Sequence, residues 1–296
     1  MMDLAPAQID AEDASFLKVT TALTWAAGLL EQAGIENARF EAQLLMALAL
    51  DVSRIAILAG LRPQCSEPEF RAFERLVHER ERRVPLAYLR GNQEFYGLSF
   101  LVTPATLIPR PETELLVEFA LEKFAESEAP LLVDIGTGTG CIPIAALAHY
   151  PQARAIACDL SAEALEVARR NAAANRVSER LRLLQANLLS GVLGRADILV
   201  SNPPYIPAEE IAGLQPEVRD FEPRLALDGG ADGLALLSGI VQEAHRVLKP
   251  KGWLAVEVAQ GQAPAVADLF AEQGLTDIAI RRDLAGIERN VTGRTV

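Results

Sequence analysis

Leu131-Leu-Val-Asp-Ile-Gly-Thr-Gly-Thr-Gly140 is a short apolar run that ends in three alternate glycines. The run reads as a strand buried on both faces. The glycines open a helix containing Ile142, Ile144, Ala145, Ala146 and Leu147, with Pro143 tolerated in its first turn. Glycines at such a turn let a ligand approach the backbone and a helix N-terminus. A dinucleotide fingerprint needs its third glycine one place later, where this chain has Cys141. That counts against a nicotinamide enzyme and leaves a smaller adenosine ligand.

From here the pattern alternates strand and helix, which predicts a parallel sheet covered on both faces. The second strand, Ala153 to Cys158, ends in Asp159. An acid there is placed to take both hydroxyls of a ribose; the competing reading is an N-cap for the Ser161–Asn175 helix. Leu181 to Gln185 is a third strand, ending at Asn187, whose amide either meets an adenine edge or turns the chain. Lys249-Pro-Lys-Gly252 reads as a turn and Trp253 to Val258 as a fifth strand, followed by an Ala263–Gln273 helix. Thr276 to Arg282 and Thr292 to Val296 suggest two last strands. Trp253 reads as core, and Glu257 either as a functional acid or as a buried, paired one.

The fourth strand, Ala196 to Val200, stops at Asn202-Pro-Pro-Tyr205. Two consecutive prolines cannot continue a ladder, because neither has an N–H. Asn202, preceding a proline, is pushed toward an extended backbone. It therefore stands at the carboxyl end of a strand, where open α/β sheets bind ligands. Pro203 and Pro204 offer carbonyl oxygens without donors, Asn202 adds a side-chain oxygen, and Tyr205 adds a ring. This acceptor-rich, uncharged corner suits a planar group bearing an NH2, an amide or the amino group of a base.

Upstream, the first ninety or so residues read as helices. Met1 to Asp13 reads as a loose tail, Ser15 to Ala33 as one helix, and Asn37 as the cap of a second. Asp51-Val-Ser53 opens a third short helix. Ser66-Glu-Pro-Glu69 is a helix start, and the helix runs to about Arg83 with Arg71, Arg75, Arg80, Arg82 and Arg83 on a solvated face. His78 reads as a surface residue. Glu94 to Val102, with Gly97 at its centre, predicts a hairpin. Leu107-Ile-Pro-Arg-Pro-Glu-Thr-Glu114 is a stiff, charged loop that either lines the active site or serves as a spacer, and an amphipathic helix follows from Leu115 to Phe124.

The 296 residues carry a formal net charge of -12 and are half apolar. Such a chain builds a sizeable core, and its charge argues against a protein that lives on nucleic acid. Cys65, Cys141 and Cys158 are scattered, forming neither a disulfide framework nor a metal spacing, which fits a reducing cytoplasm. The sequence shows no signal peptide and no apolar run of membrane-spanning length.

With Gly136-Thr-Gly-Thr-Gly140, Asp159 and Asn202-Pro-Pro-Tyr205 together, the chain resembles the S-adenosylmethionine-dependent amino-group methyltransferases. More narrowly, several further stretches resemble the peptide chain release factor glutamine N5-methyltransferases of the HemK/PrmC type. They are Pro85-Leu-Ala-Tyr-Leu89, Glu94-Phe-Tyr-Gly-Leu98, Leu107 to Glu114, Glu222 to Gly230 with Asp232-Gly-Leu234, and Asp283 to Arg289. The resemblance implies an α/β fold: a small all-helical substrate-recognition domain over 1–92, a β-hairpin linker over 93–108, and a seven-stranded Rossmann-like class I methyltransferase domain over 109–296.

It implies S-adenosylmethionine as cofactor, leaving S-adenosylhomocysteine, with no metal. Gly136, Thr137, Gly138, Thr139, Gly140, Asp159, Asn187, Leu188 and Asn202 would hold it. Where the family often has an acid followed by an aromatic, this chain has Asn187-Leu188, and after Glu257 it has Ala259 in place of a usual glycine. Asn202, Pro203, Pro204 and Tyr205 would hold the substrate amide, with Asn202, Pro203 and Tyr205 as catalytic groups. The implied substrate is the glutamine of the Gly-Gly-Gln loop of class 1 release factors, met in the cytoplasm by a monomer without membrane or direct nucleic-acid contact. The alternatives are a glutamine methyltransferase acting on a ribosomal protein and an adenine N6 nucleic-acid methyltransferase.

Overall fold

A computed structural model describes residues 16–192 and 195–296. The expected loose tail, Met1 to Asp13, lies outside the described residues. The chain divides into two compact units, residues 1–90 and 91–296.

In the first unit, β1 (Phe16–Lys18) pairs antiparallel with β2 (Gln64–Ser66). The helix expected from residue 15 therefore begins later, as α1 (Val19–Gln32). The pairing of Leu17 with Cys65, 48 residues away, outweighs the local helical pattern. There follow α2 (Ala38–Ala49), α3 (Arg54–Leu58), α4 (Glu67–Glu81) and α5 (Leu86–Arg90). Ala26, Leu30, Ala42, Leu45, Met46, Phe73 and Val77 meet in a core closed to solvent. Ser66 caps α4 as its sequence predicts, its backbone N–H donating to Glu69 Oε2 at 2.7 Å. Ser53 caps α3 through Ala56 N, whereas the Asn37 side chain makes no cap bond to α2. Arg80 corrects the solvated-face reading. It is buried and donates to Glu41 on α2 at 2.5 Å, a pair whose charges must be satisfied together once out of water. His78 is exposed and sits beside Glu81, as a surface residue should.

The second unit opens with a hairpin, β3 (Asn92–Phe95) and β4 (Leu98–Leu101). Tyr96 and Gly97 join the strands, both at positive φ (+50° and +72°), as a type I′ turn requires. Phe95 and Phe100 are buried in the main core, with rings 5.9 Å apart. Then come α6 (Glu114–Phe124), β5 (Leu131–Ile135), α7 (Cys141–His149), β6 (Arg154–Asp159), α8 (Ala162–Ala174), β7 (Leu181–Gln185) and β8 (Ala196–Ser201). The chain ends with α9 (Pro216–Phe221), α10 (Ala235–Val247), β9 (Leu248–Glu257), α11 (Ala263–Glu272), β10 (Thr276–Arg282) and β11 (Glu288–Arg294).

These strands form one seven-stranded sheet in the order β10-β11-β9-β8-β5-β6-β7. Only β11 pairs antiparallel, on both its sides. Apolar clusters cover each face. One gathers α6 and α7 against Leu132, Ile198 and Ala255; the other gathers α10 and α11 against Val133, Leu199 and Val256. This doubly covered sheet explains the continuous apolar runs of β5 and β8.

Two details depart from the sequence reading. Lys249 to Gly252, expected as a turn, belongs to β9 and bulges out between the Ala196–Leu248 and Ile198–Trp253 pairs. Trp253, expected as core, is half-buried, with the Lys123 and Arg294 cations 4.4 and 5.1 Å from its ring. Among the described residues no helix is long and apolar enough to cross a membrane.

Candidate active site

The sheet order sets β5 next to the central strand, β8. The chain runs outward from β5 through β6 and β7, then returns to lay β8 on the other side. Ligands bind outside the carboxyl ends of strands at such a switch point. Ile135 and Ser201 are the last paired residues of β5 and β8, and Ser201 Oγ donates to the Ile135 carbonyl at 2.8 Å. The glycine turn and the Asn-Pro-Pro-Tyr corner begin one residue beyond them, side by side.

Gly136 and Gly138 have φ of +70° and +54°, and a Cβ added at either would meet nothing within 4 Å. They form an open backbone trough. Gly140 serves another purpose: a Cβ there would stand 2.8 Å from Ile144 and 3.2 Å from Ala168, so its absence lets α8 pack against the turn. Asn171 of α8 fastens this contact. It is buried, donates to the Thr139 and Leu101 carbonyls at 2.9 and 3.0 Å, and accepts from Leu101 N at 2.7 Å.

Asp159 accepts from Gly138 N at 2.8 Å and from Ser161 N at 2.9 Å. The capping alternative does not hold, because Ser161 caps α8 by accepting from Ala164 N. Each Asp159 oxygen keeps a lone pair for a diol. A ribose diol against the open backbone thus fits the residues present. Beneath the trough, Asp134 is fully buried with no hydrogen-bond partner for either oxygen among the described residues. Burial pushes its carboxyl up to about 8; nearby Thr137 moderates this and Asp159 adds to it.

At the neighbouring corner, Asn202 Nδ2 donates to Thr113 Oγ1 at 3.0 Å. Thr113 Oγ1 in turn donates to Glu257 Oε2 at 2.7 Å, and the Tyr205 hydroxyl donates to Glu257 Oε1 at 3.2 Å. Glu257 is the paired buried acid that sequence left open: burial raises its carboxyl to about 7, and the Thr113 and Tyr205 bonds hold it down. Burial and the adjacent Glu257 charge push the Tyr205 phenol upward in turn. The Asp228-Gly-Gly230 and Gly233 loop lies flat on this corner. A Cβ at Gly229 would come within 2.8 Å of Tyr205 Cα, and one at Gly233 would overlap the Tyr205 carbonyl.

A cavity of about 370 Å³ joins the two corners. Gly136 to Thr139, Asp159, Asn187, Leu188, Asn202, Pro203 and Pro204 all line it. Gly140 and Tyr205 stand behind its wall. The loop from Pro104 to Arg110 also lines it, which decides between the two readings of that stretch. Glu222, buried, anchors the loop by accepting from Arg110 at 2.5 Å and from Ile108 N at 3.2 Å. Leu188 sits at φ +51°, an uncommon backbone for a branched side chain, at the rim. Asn171 carries no signal in the sequence, and Thr113 and Glu222 stand in quoted stretches without a role of their own. Thr113 lay inside a stretch already singled out, but nothing local tells a lining threonine from a helix-start threonine.

Residues 21–91 match the family described as the PrmC N-terminal domain, and residues 112–213 match the methyltransferase small domain. A release factor glutamine methyltransferase of Geobacter sulfurreducens is 43% identical over 274 residues, covering 92% of this chain and 95% of the relative. One of Cereibacter sphaeroides is 43% identical over 279 residues, covering 94% and 99%. One of Caulobacter vibrioides is 40% identical over 278 residues, covering 94% and 96%. Among solved structures, the hMettl16 catalytic domain in complex with a 3′UTR hairpin has a TM-score of 0.56 at 15% identity, over 78% of this chain and 84% of that one. A methyltransferase from Pyrococcus furiosus has a TM-score of 0.50 at 17% identity, over 68% and 91%. These structural likenesses establish a shared fold.

Proposed function

The chain belongs to the release factor glutamine methyltransferase family, and on that premise we propose that it methylates the N5 side-chain amide of the glutamine in the Gly-Gly-Gln motif of class 1 release factors. S-adenosylmethionine, when bound, supplies the methyl group. Gly136 to Thr139 would receive it along the open backbone, Asp159 would take its ribose hydroxyls, and Asn187 and Leu188 would border its base. Gly140 keeps the turn tight behind them. One observation carries the substrate assignment: Asn202 turns its nitrogen toward Thr113, which leaves Oδ1 as an acceptor with no protein donor among the described residues, beside the donor-free Pro203 and Pro204.

An amide nitrogen is a poor nucleophile because its lone pair is shared with the carbonyl. Asn202 Oδ1 and the Pro203 carbonyl would accept its two N–H groups, fixing its plane and stabilising the positive charge that develops on nitrogen. Pro204 would pack beside the amide. Tyr205, with its hydroxyl on Glu257, would brace the corner from behind. The rate advantage is positioning and electrostatics, with no covalent intermediate on the protein. Three free, buried cysteines suit a cytoplasmic enzyme, and the reading has it act there as a monomer.

The test is to incubate the protein with labelled S-adenosylmethionine and, separately, a class 1 release factor, a ribosomal protein mixture, and adenine-containing DNA and RNA. Label on the release factor glutamine supports the proposal. Label on either of the other two and not on the release factor overturns it.

A further inference from the structure

Asn202 has an amide whose two ends differ only in chemistry, and nothing in its backbone decides which end faces the cavity. The decision lies two residues away in space. Glu257, when ionised, only accepts. It takes the single Thr113 hydroxyl proton at 2.7 Å, and Thr113 Oγ1 is then able only to accept from its other neighbour. That neighbour is Asn202, 3.0 Å away, which must present Nδ2. Oδ1 is left without a protein donor among the described residues.

The second Glu257 oxygen takes the Tyr205 hydroxyl at 3.2 Å, so one carboxylate braces both ends of the Asn-Pro-Pro-Tyr corner. We propose that Thr113 and Glu257 are positioning residues for methyl transfer, which set the polarity of a hydrogen-bond chain and so hold Asn202 with its oxygen toward the substrate amide. Reversal of the chain would present an NH2 to an NH2, and the acceptor corner would be lost. This inference rests on the function proposed above and deepens it. No bond is made or broken by either residue.

The experiment compares Thr113→Val, which keeps the shape and removes the hydroxyl, with Thr113→Ser, which keeps the hydroxyl. Both are measured alone and Thr113→Val also in an Asn202→Ala background. Methyl transfer to release factor, affinity for S-adenosylhomocysteine by calorimetry, and the Asn202 side-chain amide resonances in 15N spectra are recorded. Thr113→Val is expected to lower kcat roughly 10- to 100-fold, the scale of a small misplacement, with product affinity within about twofold of the parent. Thr113→Ser recovers most of that loss. The double variant is no slower than Asn202→Ala alone, because Thr113 acts through Asn202.

Thr113→Val at the parental rate while Asn202→Ala is slow would overturn the inference and leave the proposed function standing, as would losses that multiply in the double variant. Asn202→Ala at the parental rate would instead strike the proposed function. The spectra decide independently of turnover: Asn202 amide resonances that shift in Thr113→Val support the chain, and resonances that stay unmoved overturn it. Should Thr113→Val fail to fold, Thr113→Ala is read in the same way.

Discussion

Ser201 donates its hydroxyl to the Ile135 carbonyl at 2.8 Å, and this bond ties the ends of β5 and β8 together. Gly136 and Asn202 follow immediately, so the donor trough and the acceptor corner are held at a fixed spacing by the sheet itself. Residues held on rigid elements keep the sub-ångström placement that transfer chemistry requires.

Asp159 is expected to matter for the donor alone. Its carboxylate supports the glycine turn through Gly138 N and keeps lone pairs for a diol. Asp159→Ala removes charge-assisted bonds of about 1.5–3 kcal/mol, or roughly 10- to 150-fold in affinity for S-adenosylhomocysteine. Calorimetry checks this; an unchanged affinity would place the ribose elsewhere.

Gly233 is expected to tolerate no side chain. Its φ is +74° and an added Cβ would overlap the Tyr205 carbonyl. Gly233→Ala therefore displaces the Pro204–Tyr205 backbone and costs about 1–2 kcal/mol in left-handed strain alone. Thermal melts and turnover should both fall, whereas alanine at exposed Gly213, with φ unremarkable and open space around it, should change neither.

Activity should rise with pH through neutrality. Burial raises Glu257 to about 7, and Thr113, Tyr205, Asn290 across the β9–β11 ladder, and the charged Glu112 and Arg289 surround it. Its ionised form orients Thr113, so turnover is lost as pH falls below about 7, and Glu257→Gln should flatten that limb. Stability moves the other way. The native carboxyl holds a proton that the unfolded chain has already released, so its contribution is full below about 4.5 and declines as pH rises through 7. A pH–rate profile that is identical in the parent and Glu257→Gln would contradict the first statement.

Asp134 should make the fold base-sensitive. Its carboxyl is raised to about 8 from 3.8, so its own contribution to stability is full below about 3.8 and is lost as pH rises through about 8. Asp134→Asn keeps the shape and removes the charge. Urea midpoints at pH 6 and 9 should converge in the variant and separate in the parent.

The sheet was legible because its signals are local. Three alternate glycines after an apolar run, an acid one strand later, and a double proline after another run each punctuate the chain where the strands end. Phe16 to Lys18 was not legible, since its strand depends on Gln64 to Ser66, far along the chain. Arg80 read as one more surface arginine because its partner Glu41 lies on another helix. The site divides the same way. Asp159 and Asn202 are announced by neighbouring residues, whereas Thr113, 89 residues from Asn202 and 144 from Glu257, is joined to them only by folding.

Asn202 is expected to act chiefly on the methyl acceptor, with only a minor share in holding the donor. The direct measurement is single-turnover methyl transfer by Asn202→Ala to a release factor, paired with its calorimetric affinity for S-adenosylhomocysteine. A rate lowered roughly 10²–10³-fold, with affinity within a few-fold of the parent, is the predicted result. Transfer at the parental rate, or a loss explained wholly by weakened cofactor binding, would contradict it.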